Sequence, residues 1–334
     1  AAIAAKKENA RVFLVEREKK LGGILKQCIH DGFGLVYFGE RLTGPEYAER
    51  FIAEFLSLGI DYITNAFAVD VFRSSSGGFE LTLQSAKGML PVSSKTLVLA
   101  CGCRERTSRQ VFIHGDRPSG IFTAGTAQYY VNIMGEMPTR RCVILGSGDI
   151  GMIMARRLTL EGASVEGVYE IKDAPAGLAR NVSQCLNDYD IPLHLSTTVT
   201  RVLGGKRVEA VEVCRVNERF EPLTETKRVI DCDALILSVG LLPENEIAES
   251  LGVEIDGATK GPLVDQTLMT SVPGVFSCGN ALHVNDLVDY VSESGKLAGK
   301  SAATYAGGRR EQIKIACNPK DFLYVVPQRY DAAK

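Results

Sequence analysis

The sequence has no long apolar run. Its apolar stretches are short and β-rich, as at Thr96–Ala100, and none approaches the roughly 18 residues that suggest a membrane span. It has no basic stripe either. The 38 Lys and Arg are scattered among 40 Asp and Glu for a net charge of -2, which speaks against nucleic acid as a partner. There is no CxxC pair and no HExxH or Cys/His ligand spacing, while His114, His194 and His283 lie in separate segments. No metal site is expected. The nine cysteines form no regular framework, which points to a reducing, cytoplasmic setting. There is also no initiator Met, so a removed leader would leave no trace.

What remains is 334 residues, 45% of them hydrophobic, enough for about two ordinary domains with a core each. The clearest local pattern is Arg141-Cys-Val-Ile-Leu-Gly146-Ser-Gly148-Asp149-Ile150-Gly151, a short apolar strand entering GxGxxG, with a helix expected over Met152 to Glu161. Gly146 suits the tight turn, Gly148 lets backbone approach a pyrophosphate, and Gly151 lets the helix pack on the strand. The helix N-terminus then faces the phosphates. A second strand, Ser164 to Tyr169, ends at Glu170, about 20 residues beyond the glycines, where a carboxylate can hold an adenosine ribose. Ile171, Lys172 and Asp173 follow it without an arginine pair for a 2′-phosphate, so NAD is expected over NADP.

The start of the chain repeats part of this pattern. A helix over Ala1 to Glu8 precedes Arg11-Val-Phe-Leu-Val-Glu16, a strand ending in an acid. Aligning Glu16 with Glu170 puts the counterpart of Gly151 before residue 1, so the first strand and glycine loop of this fold are expected to be missing. At the other end, Phe322-Leu-Tyr-Val-Val-Pro reads as a strand, and residues 317–334 as the start of a truncated C-terminal extension.

Further segments fall into a known order. Glu16 with Gly22-Gly23, Thr96-Leu-Val-Leu-Ala100-Cys-Gly102, Asp233-Ala-Leu-Ile-Leu-Ser-Val-Gly240 and Thr270-Ser-Val-Pro-Gly-Val-Phe-Ser-Cys-Gly279-Asn280 together resemble the pyridine nucleotide-disulfide oxidoreductase family. The resemblance implies FAD held by Glu16, Gly22, Gly23, Ala100, Gly102, Gly279 and Asn280. It implies NAD held by Gly146, Gly148, Asp149, Ile150, Gly151, Glu170 and Gly240. Asn280 stands where most of the family has Asp, keeping hydrogen-bonding ability without the charge. The helix expected over Leu287 to Tyr305, behind the capping types Asn285 and Asp286, would by the same resemblance point its N-terminus at the flavin.

Within the family, Gly22 to Gly34, Gly102 to Thr107 and Arg117 to Gln128 look most like bacterial FAD-dependent subunits. These are of the opine oxidase, hydrogen cyanide synthase and sarcosine oxidase kind, or partners of glycerol-3-phosphate dehydrogenases. Family disulfide reductases carry two redox cysteines after the glycine pair. Only Cys28 stands here, so an enzyme without a redox-active disulfide is expected.

Cys28 and His30 are the side-chain candidates for flavin tuning or proton handling, against a structural reading of both. Cys101 and Cys103 are too close in sequence for an unstrained disulfide, and Arg104 and Arg106 either steer an anion or are simply solvated. The expected fold is α/β with two Rossmann-like domains, the NAD domain (131–245) inserted in an FAD-type domain (1–130 and 246–316). The expected activity is hydride passage between NAD(H) and flavin, with electrons exchanged with a small-molecule donor or acceptor or a partner dehydrogenase subunit. The rivals are an FAD-dependent oxidase or dehydrogenase subunit for a small amine, opine or amino acid, and a non-catalytic nucleotide-binding partner.

Overall fold

Arg141–Leu145 and Ala234–Leu237 are apolar at every core position because both faces of their sheet are covered. Successive side chains point to opposite faces. Cys142, Ile144, Ala234 and Ile236 meet a helical layer containing Met152, Met154, Leu158 and Leu186. Val143, Leu145, Leu235 and Leu237 meet Val199, Val202, Val211 and Val213 on the other side. The sheet has five parallel strands in the spatial order Ile121–Thr123, Ala234–Leu237, Arg141–Leu145, Ser164–Tyr169, Leu193–His194. Its second layer is a four-stranded sheet built on Thr197–Leu203, Ala210–Arg215 and Arg228–Asp231, with His114–Gly115 at one edge.

The computed structural model describes residues 1–307, 312–318 and 320–331. The chain divides into two units, Ala1–Arg104 with Leu242–Lys334, and Glu105–Leu241. The inserted unit therefore starts earlier than the boundary at 131 read from sequence. Ile121–Thr123 belongs to it by pairing with Ala234–Leu237, a long-range contact that local pattern does not reveal.

In the first unit, Phe13–Val15 pairs in parallel with Asp61–Ile63, and Leu97–Leu99 with Val275–Ser277. Ala66–Arg73, Phe79–Ser85 and Gly88–Ser94 form an antiparallel sheet. The helix Gly44–Ser57 starts at Thr43, whose side chain accepts from Glu46 N while the Glu46 carboxylate accepts from Thr43 N, a capping box followed by Pro45 in the first turn. Its buried face carries Tyr47, Ala48 and Phe55. Ala2–Lys7 packs on the helix Val288–Ala303 at Gly299, where a Cβ would fall on the Ala1 carbonyl oxygen.

One terminal expectation needs correction. Phe322 to Pro327 is not a strand. Asn318 closes a turn by accepting from Asp321 N and Phe322 N, and Pro327 has no N–H to give a ladder. Among the described residues of this terminal stretch, Arg329–Asp331 pairs with Gln312–Lys314 and Arg329 N donates to Val264 O. Among the described residues no helix is long and apolar enough to cross a membrane.

Candidate dinucleotide sites

The glycine loop of the inserted unit follows the Arg141–Leu145 strand. Gly146 has φ +97°, and a Cβ there would fall on the carbonyl oxygen of Ser238 at the end of the neighbouring strand. Gly151 is equally constrained, its Cβ direction meeting Gly146 O at 2.6 Å and Ser238 Cβ at 2.8 Å. Gly148 differs. A Cβ there would meet only Ser238 Oγ at 3.5 Å, so the loop is open at that residue and admits a phosphate to the backbone. The cradle fits a pyrophosphate.

The helix spans Asp149–Leu160, three residues earlier than the expected start, with Gly148 as N-cap and no side-chain cap bond. Its first-turn N–H groups are thus not taken by a capping side chain. Asp149 turns to the segment after Glu170, its Oδ1 accepting from Leu178 N at 2.8 Å and Asn181 Nδ2 at 2.7 Å. Ile150 packs against the helical-side core. Gly240 has φ +100° and accepts from Arg106 N at 3.0 Å. Glu170 stands at the end of Ser164–Tyr169 but is only 5% exposed. Its Oε2 accepts from Ser147 N at 2.9 Å and Ser147 Oγ at 2.7 Å, and its Oε1 from Lys172 N at 3.1 Å. Sequence reasoning missed Ser147, because the middle residue of G-x-G carries no demand of its own in the motif.

In the first unit the expected residues cluster at the carboxyl ends of parallel strands, where open α/β sheets hold ligands. Glu16 follows Phe13–Val15, is half-buried, and accepts from Glu18 N at 2.9 Å. Gly22 and Gly23, with φ of +110° and +55°, lead into the turn Gly23–Gln27. Ala100 and Gly102 follow Leu97–Leu99, with Cys101 exposed between them. Gly279 and Asn280 follow Val275–Ser277. Asn280 Oδ1 accepts from Asn285 N at 3.0 Å, and Asn280 Nδ2 lies 3.6 Å from Cys103 Sγ. An acid for a ribose and two tight turns beside parallel strand ends suit a dinucleotide.

The helix after Asn280 is Val288–Ala303, with Leu287 as N-cap and no side-chain cap. Asn285, expected near the cap, is held by Asn280 and by the His283 carbonyl instead. Gly279 N donates to Ser294 Oγ at 2.9 Å, fixing this helix to the strand end. In its first turn Asp289, 3% exposed, accepts from Val36 N at 3.1 Å through Oδ2.

Cys28 is a poor candidate for thiolate chemistry. It is buried, it donates to Ile24 O, and burial pushes its pKa up to about 11. Desolvation also raises the Cys101 thiol, but its side chain is exposed, so alkylation near pH ~8 is expected to label Cys101 before Cys28, as read by peptide mass spectrometry; faster labelling of Cys28 would contradict the burial argument. His30 packs its ring 5.1 Å from Phe33. Arg104 is not a free anion receptor, since it pairs with Glu244 and Glu246. Among the described residues no group of His, Cys, Asp and Glu could hold a metal ion.

Burial lowers the pKa of His194, stacked 4.6 Å from Tyr169, and of His283. For both, the unfolded chain binds the proton more readily, so stability is full above about pH 6.5 and falls as pH drops below it. Melting temperature should decline between about pH 7 and 5.5, and less steeply after His194→Gln and His283→Gln, as followed by circular dichroism.

The architecture is that of α/β dinucleotide-binding domains, with a glycine-containing loop in each unit at the carboxyl ends of parallel strands. The family model described as pyridine nucleotide-disulphide oxidoreductase matches residues 1–307. The chain belongs to that family, a class of FAD-dependent pyridine nucleotide oxidoreductases. It is 26% identical over 328 residues to the hydrogen cyanide synthase subunit HcnB of Pseudomonas protegens, covering 91% of this chain and 66% of that protein. The chain thus spans about two thirds of that relative's length. It is also 26% identical over 253 residues to a ferredoxin–NADP reductase of Limosilactobacillus fermentum, covering 72% of this chain and 69% of that one. The thioredoxin reductase structure from Lactococcus lactis superposes with a TM-score of 0.72 at 17% identity, covering 91% of this chain and 93% of that chain.

Proposed function

We propose that this protein passes a hydride between NAD(H) bound at the Gly146–Gly151 loop and FAD bound in the first unit, and exchanges the electrons with a further acceptor or a partner dehydrogenase subunit. The observation that carries the reading is the glycine loop, closed by backbone at Gly146 and Gly151 and open at Gly148, with Glu170 at the next strand end. Glu16, Gly22, Gly23, Ala100, Gly102, Gly279 and Asn280 are the residues proposed to hold FAD. Bound flavin supplies an acceptor for two electrons and a proton; the chain's part is to bind and orient it and to exclude water. Glu170, followed by Ile171 and Lys172 with no arginine pair, favours NAD over NADP. A partner subunit is supported by the likeness to a relative that is itself named as a subunit.

The test is an anaerobic titration of the flavin-loaded protein with NADH and NADPH, following the visible flavin band. Bleaching by NADH in preference to NADPH is the expected result. Flavin indifferent to both nucleotides would favour an oxidase of a small amine, opine or amino acid. A protein that takes up no flavin would fit a non-catalytic nucleotide-binding subunit and end the hydride-transfer reading.

A further inference from the structure

Ser147 is fully buried and its hydroxyl is used twice. It donates to Glu170 Oε2 at 2.7 Å and accepts from Ala176 N at 2.9 Å. Its backbone N–H donates to the same carboxylate oxygen at 2.9 Å, and its carbonyl accepts from Gly177 N at 3.0 Å. One residue thus ties the glycine loop to the acid at the end of the next strand and to the segment that follows that acid. The approach at Gly177 is close enough that a Cβ there would meet Asp149 Oδ1 and Met152 Cε, both at 2.6 Å.

A carboxylate offers about four acceptor positions. Ser147 fills two on Oε2 and Lys172 N fills one on Oε1, which leaves one position on Oε1. The acid is therefore oriented by the protein itself, with one acceptor position on Oε1 left over for a hydroxyl. We propose that Ser147 is the positioning residue for nucleotide choice. By fixing Glu170 it presents one acceptor to a ribose hydroxyl and sets a fixed negative charge against a 2′-phosphate, which has no hydroxyl to donate there. The proposal rests on the reading of Gly146–Gly151 as an NAD site. It adds that the discrimination depends on a side chain at the middle position of G-x-G, acting through the acid.

The experiment measures dissociation constants for NADH and NADPH by equilibrium titration of the nucleotide's own fluorescence, with no flavin turnover involved. Ser147→Ala removes the hydroxyl and keeps the backbone donor. NADH binding is expected to weaken about tenfold, the loss associated with one charge-assisted hydrogen bond, while NADPH binding changes little, so the preference shrinks. Should Ser147→Ala not fold, Ser147→Cys serves in its place, since its thiol is a far weaker donor to the untouched Glu170 and should shrink the preference in the same direction. Ser147→Thr, which keeps the hydroxyl, should retain the preference. In the double variant Ser147→Ala/Glu170→Ala, loss of preference should not exceed that of Glu170→Ala alone, because the serine acts through the acid. Equal weakening for both nucleotides, or additive losses in the double variant, would overturn the proposal while leaving the NAD site standing. A wild-type protein that binds neither nucleotide would overturn the site reading, and the role of Ser147 with it.

Discussion

Replacing Gly146 with alanine is expected to cost the inserted unit both its nucleotide binding and several kcal/mol of stability. The residue has φ +97° and its Cβ would sit on the Ser238 carbonyl oxygen, which is backbone at the end of a central strand and has no rotamer to escape into. Overpacking in a core costs about 1–3 kcal/mol, and an alanine forced to positive φ adds to it. The contrast with Gly148→Ala makes the prediction specific. Gly148 has φ −62° and its Cβ would meet only Ser238 Oγ at 3.5 Å, so the melting temperature should hardly move. The methyl group would nevertheless stand where the phosphates are proposed to approach, and NADH affinity should fall about tenfold or more. Calorimetry and NADH titration of the two variants separate the roles. Equal melting losses would mean that Gly148 too is held by packing.

Removing the Asp265 carboxylate should be the most damaging change in the first unit. Asp265 is fully buried, and its Oδ1 accepts from Thr267 N at 2.8 Å, Thr267 Oγ at 2.6 Å and Met269 N at 3.2 Å, while Gln312 Nε2 reaches Oδ2 at 3.3 Å. Asp265→Ala leaves these donors, the buried Met269 N and the part-buried Thr267 and Gln312 groups, without their acceptor, so a loss of about 3 kcal/mol is expected. Asp265→Asn keeps an acceptor oxygen for the turn and should cost roughly half as much. The turn leads into Val275–Ser277, after which stand Gly279 and Asn280, so retention of flavin on a desalting column should fall in step with stability. Denaturant unfolding that moves Asp265→Ala by less than about 1 kcal/mol would show that water replaces the carboxylate.

The inserted unit was legible in sequence where its signals are local. Strand, glycines, helix, strand and acid between Arg141 and Glu170 each follow from periodicity and turn chemistry over a few residues. Its lower boundary was not. Nothing near Ile121 announces that this short strand completes a sheet by pairing with Ala234–Leu237, which lies far along the chain. The apolar run Phe322 to Pro327 misled for the opposite reason: composition suggested a strand, and a proline with a preceding turn decided otherwise. Around the sites, the backbone-setting glycines could be read off, because a tight turn restricts residue type. Side-chain partnerships could not. No rule of spacing says that Cys28 is sealed in, that Arg104 is claimed by Glu244 and Glu246, or that a serine inside a glycine motif holds the acid of the next strand.

The two ends of the inserted unit lie side by side: Arg106 N donates to Gly240 O at 3.0 Å, a pair of residues just inside the points where the chain enters and leaves. A segment with adjoining ends behaves as a cassette, because removing it leaves a gap that a short loop can close. Residues 105–241 form such a cassette, with a double-layered core of their own. The nucleotide preference proposed for Ser147 and Glu170 would then be exchangeable as a block, without redrawing the unit that surrounds it in sequence.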